Sequence, residues 1–338
     1  MKYSNTVYGY KDGKEVIEYR LVNNQGNVFR CLNYGAVVTA IEIPDRSGQV
    51  ENVVLGFDHL KDYIKDSPYF GAIVGRVAGR IKDGRWGELQ LTKNEGQNHI
   101  HGGNQNFSQV VWDSEMITGA DYTGVLFTHT SPADDNGYPG NLKVQVTYYW
   151  TNDNCWKMKI KAVTDETTLF NPTNHTYFNL SGNVKRTILD HTLQVSSDTF
   201  AETDREKCPT GRLLSVEGTP FDFRKPVRIG HAIHKQPSGY DTPFKLTSGF
   251  IQLFDDSSGR KLTIQTDREA VVVFSTTGMN EDYLVAGEKM SSHRGIALET
   301  QELPDAVHHP QFQSIVIHPG HTYTCQTEYQ FSVEDTLS

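Results

Sequence analysis

Apolar residues in this 338-residue chain recur at every second position through segment after segment, and only briefly at the spacing of a helix. Leu142, Val144, Val146 and Tyr148 alternate with Lys143, Gln145 and Thr147, and Trp156, Met158 and Ile160 alternate with lysines. Near the C-terminus Tyr323, Cys325, Thr327, Tyr329 and Phe331 face one way while Thr324, Gln326, Glu328 and Gln330 face the other. Successive side chains of a strand point to opposite faces, so this pattern predicts half-buried antiparallel strands. Turn residues separate them at Asn136-Gly137, Ser181-Gly182-Asn183 and Asp255-Asp256-Ser257-Ser258-Gly259, which predicts hairpin connections. Helical spacing is confined to residues 59–65 and 227–235, which excludes the strand-helix alternation of doubly wound and α/β-barrel folds. The expectation is an all-β chain: one large antiparallel β-sandwich with a few short helices. Length alone would allow two domains, but no linker, low-complexity tract or repeat offers a boundary, so residues 1–338 are predicted to be a single domain.

Composition narrows the partners. With 37% hydrophobic residues, 4 Trp, 16 Tyr and 16 Phe, the chain has ample material for a core and is too apolar for disorder. Its formal charge of -9 repels phosphate backbones and anionic lipid, and no basic stripe offsets it. No nucleic-acid or membrane partner is therefore expected, and a neutral small molecule suits the surface better. Cys31, Cys155, Cys208 and Cys325 are scattered, with no metal-site spacing, and read as reduced packing residues. The N-terminus is polar and no apolar run is long enough to span a bilayer, so a cytoplasmic location is expected.

Five stretches carry polar or titratable residues where a solvated face would not need them. Residues 71–84, GAIVGRVAGRIKDG, set Arg76 and Arg80 among glycines, where a guanidinium could grip the hydroxyls of a ligand or simply pair with carboxylates across strands. Asn98-His99-Ile100-His101-Gly102-Gly103 is read as a strand with both imidazoles on one face; with no carboxylate just downstream, substrate hydrogen bonding is preferred to a metal. Residues 171–180, NPTNHTYFNL, hold His175 in a segment too polar for a plain core strand, although a histidine satisfied by its neighbours is the simpler account. Asp241 sits in the turn-like GYDTPF, where an aspartate often bonds only its own backbone. In Gly295-Ile296-Ala297-Leu298-Glu299-Thr300-Gln301, alternation sends Ile296 and Leu298 to one side and Glu299 and Gln301 to the other, and apolar neighbours should raise the proton affinity of Glu299.

Taken together, GRVAGRI, HGG, NPTNHTYFNL, GYDTPF and LETQELPDA resemble the aldose 1-epimerase (galactose mutarotase) family in order and separation, from Asn33-Tyr34-Gly35-Ala36 to Pro319-Gly320. The resemblance implies that family's large β-sandwich with a sugar in an open cleft. It implies Glu299 as catalytic base, His175 as catalytic acid, and His101 as an imidazole hydrogen-bonding near the ring oxygen. Arg80 and Asp241 would hold sugar hydroxyls, Phe274 would wall the sugar, and Gly79, Thr176 and Tyr177 would complete the binding set. Gly79 departs from the pattern, since many members carry asparagine there, which bears on sugar or anomer preference.

Such a reaction needs one base for the C1 hydroxyl, one acid for the ring oxygen, and contacts that hold the ring still, with no metal and no cofactor. With Glu299 ionised and His175 protonated at the start of the cycle, kcat/KM should be bell-shaped in pH. The expected function is interconversion of α and β anomers of free aldohexoses such as D-galactose and D-glucose, by a monomer or homodimer. The alternatives are a hexose-6-phosphate 1-epimerase, which would need extra cations such as Arg76; a non-catalytic carbohydrate-binding β-sandwich; and a glycosidase using Glu299 with Asp241.

Overall fold

The computed structural model describes residues 1–334. The alternating segments become strands of three principal sheets. The first 52 residues form a five-stranded meander running from Lys2–Lys11 through Lys14–Val22, Val28–Leu32 and Val38–Pro44 to Val50–Asn52. A nine-stranded sheet contains the hairpin of Leu142–Thr151 with Cys155–Thr164, and the long strand Tyr323–Val333 inserts between Cys155–Thr164 and Arg260–Thr266. A six-stranded sheet has the order Tyr177–Phe178, Ile296–Gln301, Ala270–Ser275, Asp241–Lys245, Thr199–Thr203 and Pro209–Ser215. The two α-helices, Leu60–Lys65 and Ile229–Lys235, fall where helical spacing was confined. No described helix is long and apolar enough to cross a membrane.

One hydrophobic cluster joins all three sheets. Leu21, Phe29 and Ile41 of the meander meet Val146, Tyr148, Trp156 and Ile160 of the large sheet and Phe244, Val271, Val273, Ile296 and Leu298 of the six-stranded one. Phe29 lies 5.4–5.9 Å from the rings of Tyr148, Trp150 and Trp156, and Trp156 stacks on Tyr329 at 4.2 Å. Each such ring buries roughly 150–250 Å², a gross gain of about 4–6 kcal/mol at 25 cal/mol per Å². A core of that strength lets the six-stranded sheet give its other face to polar groups.

Candidate active site

That other face is laid out by strand register. Phe274 pairs with Asp241 on one side and Ala297 on the other, and Val272 pairs with Pro243 and Glu299. Cross-strand partners share a face, so Glu299, Val272 and Pro243 form one row and Asp241 and Phe274 belong to the next. Pro243 is tolerated because the strand Thr199–Thr203 pairs only through Thr199 and Phe200, beyond which a missing N–H breaks no rung on that side. A cleft of about 230 Å³ opens over these rows, lined among others by Arg80, His101, His175, Asp241, Phe274 and Glu299. Tyr177 and Gly79 line it too. The site is thus assembled from segments far apart in sequence, each brought by its own strand or turn.

His175 reaches the cleft because asparagines replace a continuous ladder around it. Strands Thr173–Asn174 and Tyr177–Phe178 are only two residues long. Between them Asn174 accepts bonds from the Thr176 N–H and hydroxyl while donating to the Gly71 carbonyl and the Tyr148 hydroxyl. Asn171 and Asn179 likewise donate to the carbonyls of Glu302, Arg186 and Arg294. The asparagines of the run therefore form a satisfied scaffold, since every buried backbone group needs a partner, whereas His175 Nδ1 is left without one. His101 arrives differently. The strand His99–Ile100 ends at His101, whose φ of 50° turns it out of line, and Gly102 passes so close to the Gly75 carbonyl that a Cβ would lie 1.8 Å from it. Only glycine permits that approach.

Nε2 of His175 lies 3.5 Å from Oε1 of Glu299, and both side chains are buried. Burial, reinforced by Asp241 and opposed by Arg80, raises the Glu299 carboxyl well above its ordinary range, as its apolar neighbours predicted. Burial lowers His175 to about 4. His101 is likewise driven well below the usual imidazole value by burial and by the nearby His175 and Arg80. Both members of the central pair are thus pressed toward neutrality, which differs from the expected resting form of an ionised Glu299 beside a charged His175. Arg80 forks onto Glu95 at 2.6 and 2.8 Å and approaches Asp241 at 3.7 Å, and Lys207 bonds Asp241 at 2.8 Å.

Among the described residues, His101, His175 and Glu299 form a group whose ligand atoms lie within 4.8 Å of one another, a spacing that a metal ion could use. The hydrogen bonding of His101 disfavours this. Its Nδ1 accepts the Gly79 N–H at 3.2 Å, so a neutral ring carries its proton on Nε2 and has a donor rather than a lone pair left to offer.

Two expectations change on contact with the geometry, at His99 with His101 and at Thr176, and the question left open at Arg76 closes. His99 and His101 do not share a strand face: His99 is fully buried, bonded to the Thr92 carbonyl and the Tyr138 hydroxyl, each at 2.6 Å. Arg76 does not touch the cleft; its guanidinium is used up by the carbonyls of Ser131, Pro132, Pro139 and Gly140 and by the Ser131 and Thr168 hydroxyls. Thr176 stands behind the site, with its hydroxyl on Asn174. Conversely, the cleft includes Tyr69, Lys207 and Gln301, which were not singled out as binding residues. Tyr69 packs between His101 and His175 with ring centroids 4.7 and 5.7 Å away, held at a φ of 65°. Only Gln301 had a usable signal, its position two residues after Glu299 on the same face. A larger surface depression, of about 720 Å³, is lined by Asp222, Arg224 and His231, and there the Asp222 carboxylate is taken by the Arg224 guanidinium.

The geometry can be set beside known proteins. The family model described as Aldose 1-epimerase matches residues 18–330. A galactose mutarotase from Rattus norvegicus is 38% identical over 98% of this chain and 98% of its own. An aldose 1-epimerase from Streptococcus thermophilus is 33% identical over 98% and 99%, respectively. Among solved structures, a galactose 1-epimerase from Lactobacillus acidophilus superposes with a TM-score of 0.88 at 31% identity, covering 98% of this chain and 99% of that one.

Proposed function

The chain belongs to the aldose 1-epimerase family, and from that premise we propose that Glu299 and His175 carry out its α/β anomer interconversion as general base and general acid. The observation that supports these roles is the 3.5 Å approach of the two side chains within one buried cleft. The anomeric hydroxyl oxygen and the ring oxygen are bonded to the same carbon, so a base for one and an acid for the other must converge on one small volume. Glu299 takes the C1 hydroxyl proton while the ring oxygen receives one from His175, and the bond from C1 to the ring oxygen breaks. The open aldehyde turns about C1–C2, and reclosure with exchanged roles gives the other anomer. The Nε2–H of His101 serves as a further donor near the ring oxygen, Arg80 and Asp241 hold hydroxyls, and Phe274 and Tyr177 wall the ring.

The substrate is a free aldohexose such as D-galactose or D-glucose. Supporting a neutral sugar over a 6-phosphate, the cleft's cations Arg80 and Lys207 are already engaged by Glu95 and Asp241, and Arg76 is spent on backbone carbonyls. The reaction needs no metal and no cofactor, a reading supported by the tautomer that Gly79 imposes on His101. The protein works as one domain, as a monomer or homodimer, without a nucleic-acid or membrane partner. A cytoplasmic location is supported by four buried, unpaired thiols. Polarimetry on fresh α-D-galactose and α-D-glucose, with and without a chelator, tests the reading. Acceleration that survives chelation is expected; acceleration abolished by chelator, or turnover confined to the 6-phosphates, would replace it.

A further inference from the structure

Gln301 lies in the cleft two residues beyond Glu299 on the same face of the strand Ile296–Gln301. Its side chain is fully buried, yet neither Oε1 nor Nε2 has a hydrogen-bond partner within the protein. Its strand neighbours are not left in this state: the Thr300 hydroxyl meets that of Thr327, and the Glu302 carboxylate takes the Arg268 guanidinium. Buried polar groups are nearly always paired, so an amide with both atoms unused beside a catalytic carboxylate calls for a ligand partner. Gly79 is what leaves it free on the cleft side. A Cβ at Gly79 would come within 3.5 Å of Gln301 Nε2 and 2.9 Å of Pro304 Cβ, so the glycine supplies no side chain to meet the amide.

Resting on the epimerase reading of the cleft, we propose that Gln301 is a specificity-determining contact whose amide binds one non-anomeric hydroxyl of the sugar. A hydroxyl both donates and accepts, as does a carboxamide, so the pair can satisfy both amide atoms together with a neighbouring hydroxyl. Two residues along a strand span about 6.6–6.8 Å. With Glu299 at the C1 hydroxyl, Gln301 therefore serves the part of the ring remote from the anomeric carbon, and Gly79 keeps the space above it open for that group.

The test is a matched deletion. Polarimetric kcat/KM is measured for the wild type and Gln301→Met on D-galactose, D-glucose and their 2-, 3-, 4- and 6-deoxy analogues, with folding checked by thermal melting. Removing the amide should lower kcat/KM on the parent sugars by about 10–100-fold, mainly through KM, because a sugar hydroxyl loses its partner. On the one analogue lacking that hydroxyl the loss should nearly vanish. Gln301→Asn, which keeps the amide on a shorter arm, should show the same ranking in milder form and carries the comparison if the methionine variant folds poorly. An equal loss on every analogue, or none on the parents, overturns the proposal. A wild type that accelerates no sugar refutes the reading of the cleft itself, a separate outcome.

Discussion

Burial moves Glu299 and His175 in opposite directions on the pH scale but toward the same chemical end, the uncharged form. Below the raised value of Glu299 the pair's single proton rests on the carboxyl, while the working arrangement we propose has it on the imidazole. Both forms contain the same number of protons, so a bell-shaped kcat/KM survives, with flanks that belong to the pair rather than to either residue. The acid flank should follow the protonation of His175 at about 4, and the alkaline flank the last proton, held by a carboxyl whose affinity is raised. A rate profile with one ascending limb and no alkaline fall would contradict this coupling. Glu299→Gln should cut turnover by about 10²–10⁴-fold, as should His175→Asn. The glutamine variant should also be the more stable protein at pH 8. A carboxyl whose folded proton affinity is raised favours the native state fully only below its unfolded value and loses that contribution as pH rises through the folded one. Melting temperatures of the two proteins should therefore separate at pH 8 and converge below about pH 4.3; a constant gap would mean that packing, not charge burial, separates them.

At the level of elements, Glu299 was legible because a regular strand carries it, whereas Asp241, read as a turn residue, opens the strand Asp241–Lys245 and pairs with Phe274. Alternation in residues 295–301 placed Glu299 opposite Ile296 and Leu298, and the core cluster holds both of those side chains. The same rule misled at His99 and His101, because the strand stops between them and a left-handed residue resets the side-chain direction. Tyr69 and Lys207 also have positive φ, at 65° and 62°, and sit in irregular backbone where periodicity says nothing about direction. Arg76 was ambiguous since a guanidinium wrapped in carbonyls and one aimed at a ligand look alike in sequence. Gly102 exposes the difference between strain and collision. Gly102→Ala would drive a Cβ against the Gly75 carbonyl, at 1.8 Å, and displace His101, so melting should fall and kcat/KM should drop about 10²-fold. Gly13 has a similar φ, 77°, with nothing within 4 Å, so Gly13→Ala should cost about 1 kcal/mol and leave activity intact. Equal effects from the two substitutions would argue against a collision at Gly102.

For the whole molecule, the sandwich buries several imidazoles in their neutral form. Burial takes His99, His175 and His191 to about 4, and His101 is also driven well down. His191 serves the fold directly by accepting the Leu180 N–H at 2.8 Å through Nε2. For a group whose folded proton affinity is depressed, stability is complete above its unfolded value, about 6.5 for histidine, and drains away as pH falls toward the folded value. Glu299 works the other way, giving up a proton on unfolding over part of the same range. Four protons taken up against one released leaves a net uptake of three, a slope that approaches about 4 kcal/mol per pH unit near pH 5. Against a typical domain stability of about 5–15 kcal/mol, that slope removes a large share of the stability between about pH 6.5 and 5, where exposed carboxylates are still mostly ionised. Urea titrations at pH 7.5, 6.5, 5.5 and 5 should therefore show midpoints falling steeply below pH 6.5 with little change in the slope m. Replacing His99 and its partner Tyr138, neither of which lines the cleft, together by apolar residues should flatten that fall by one proton's worth, and a midpoint that stays level down to pH 5 would show that the buried imidazoles do not control the acid limit of the fold.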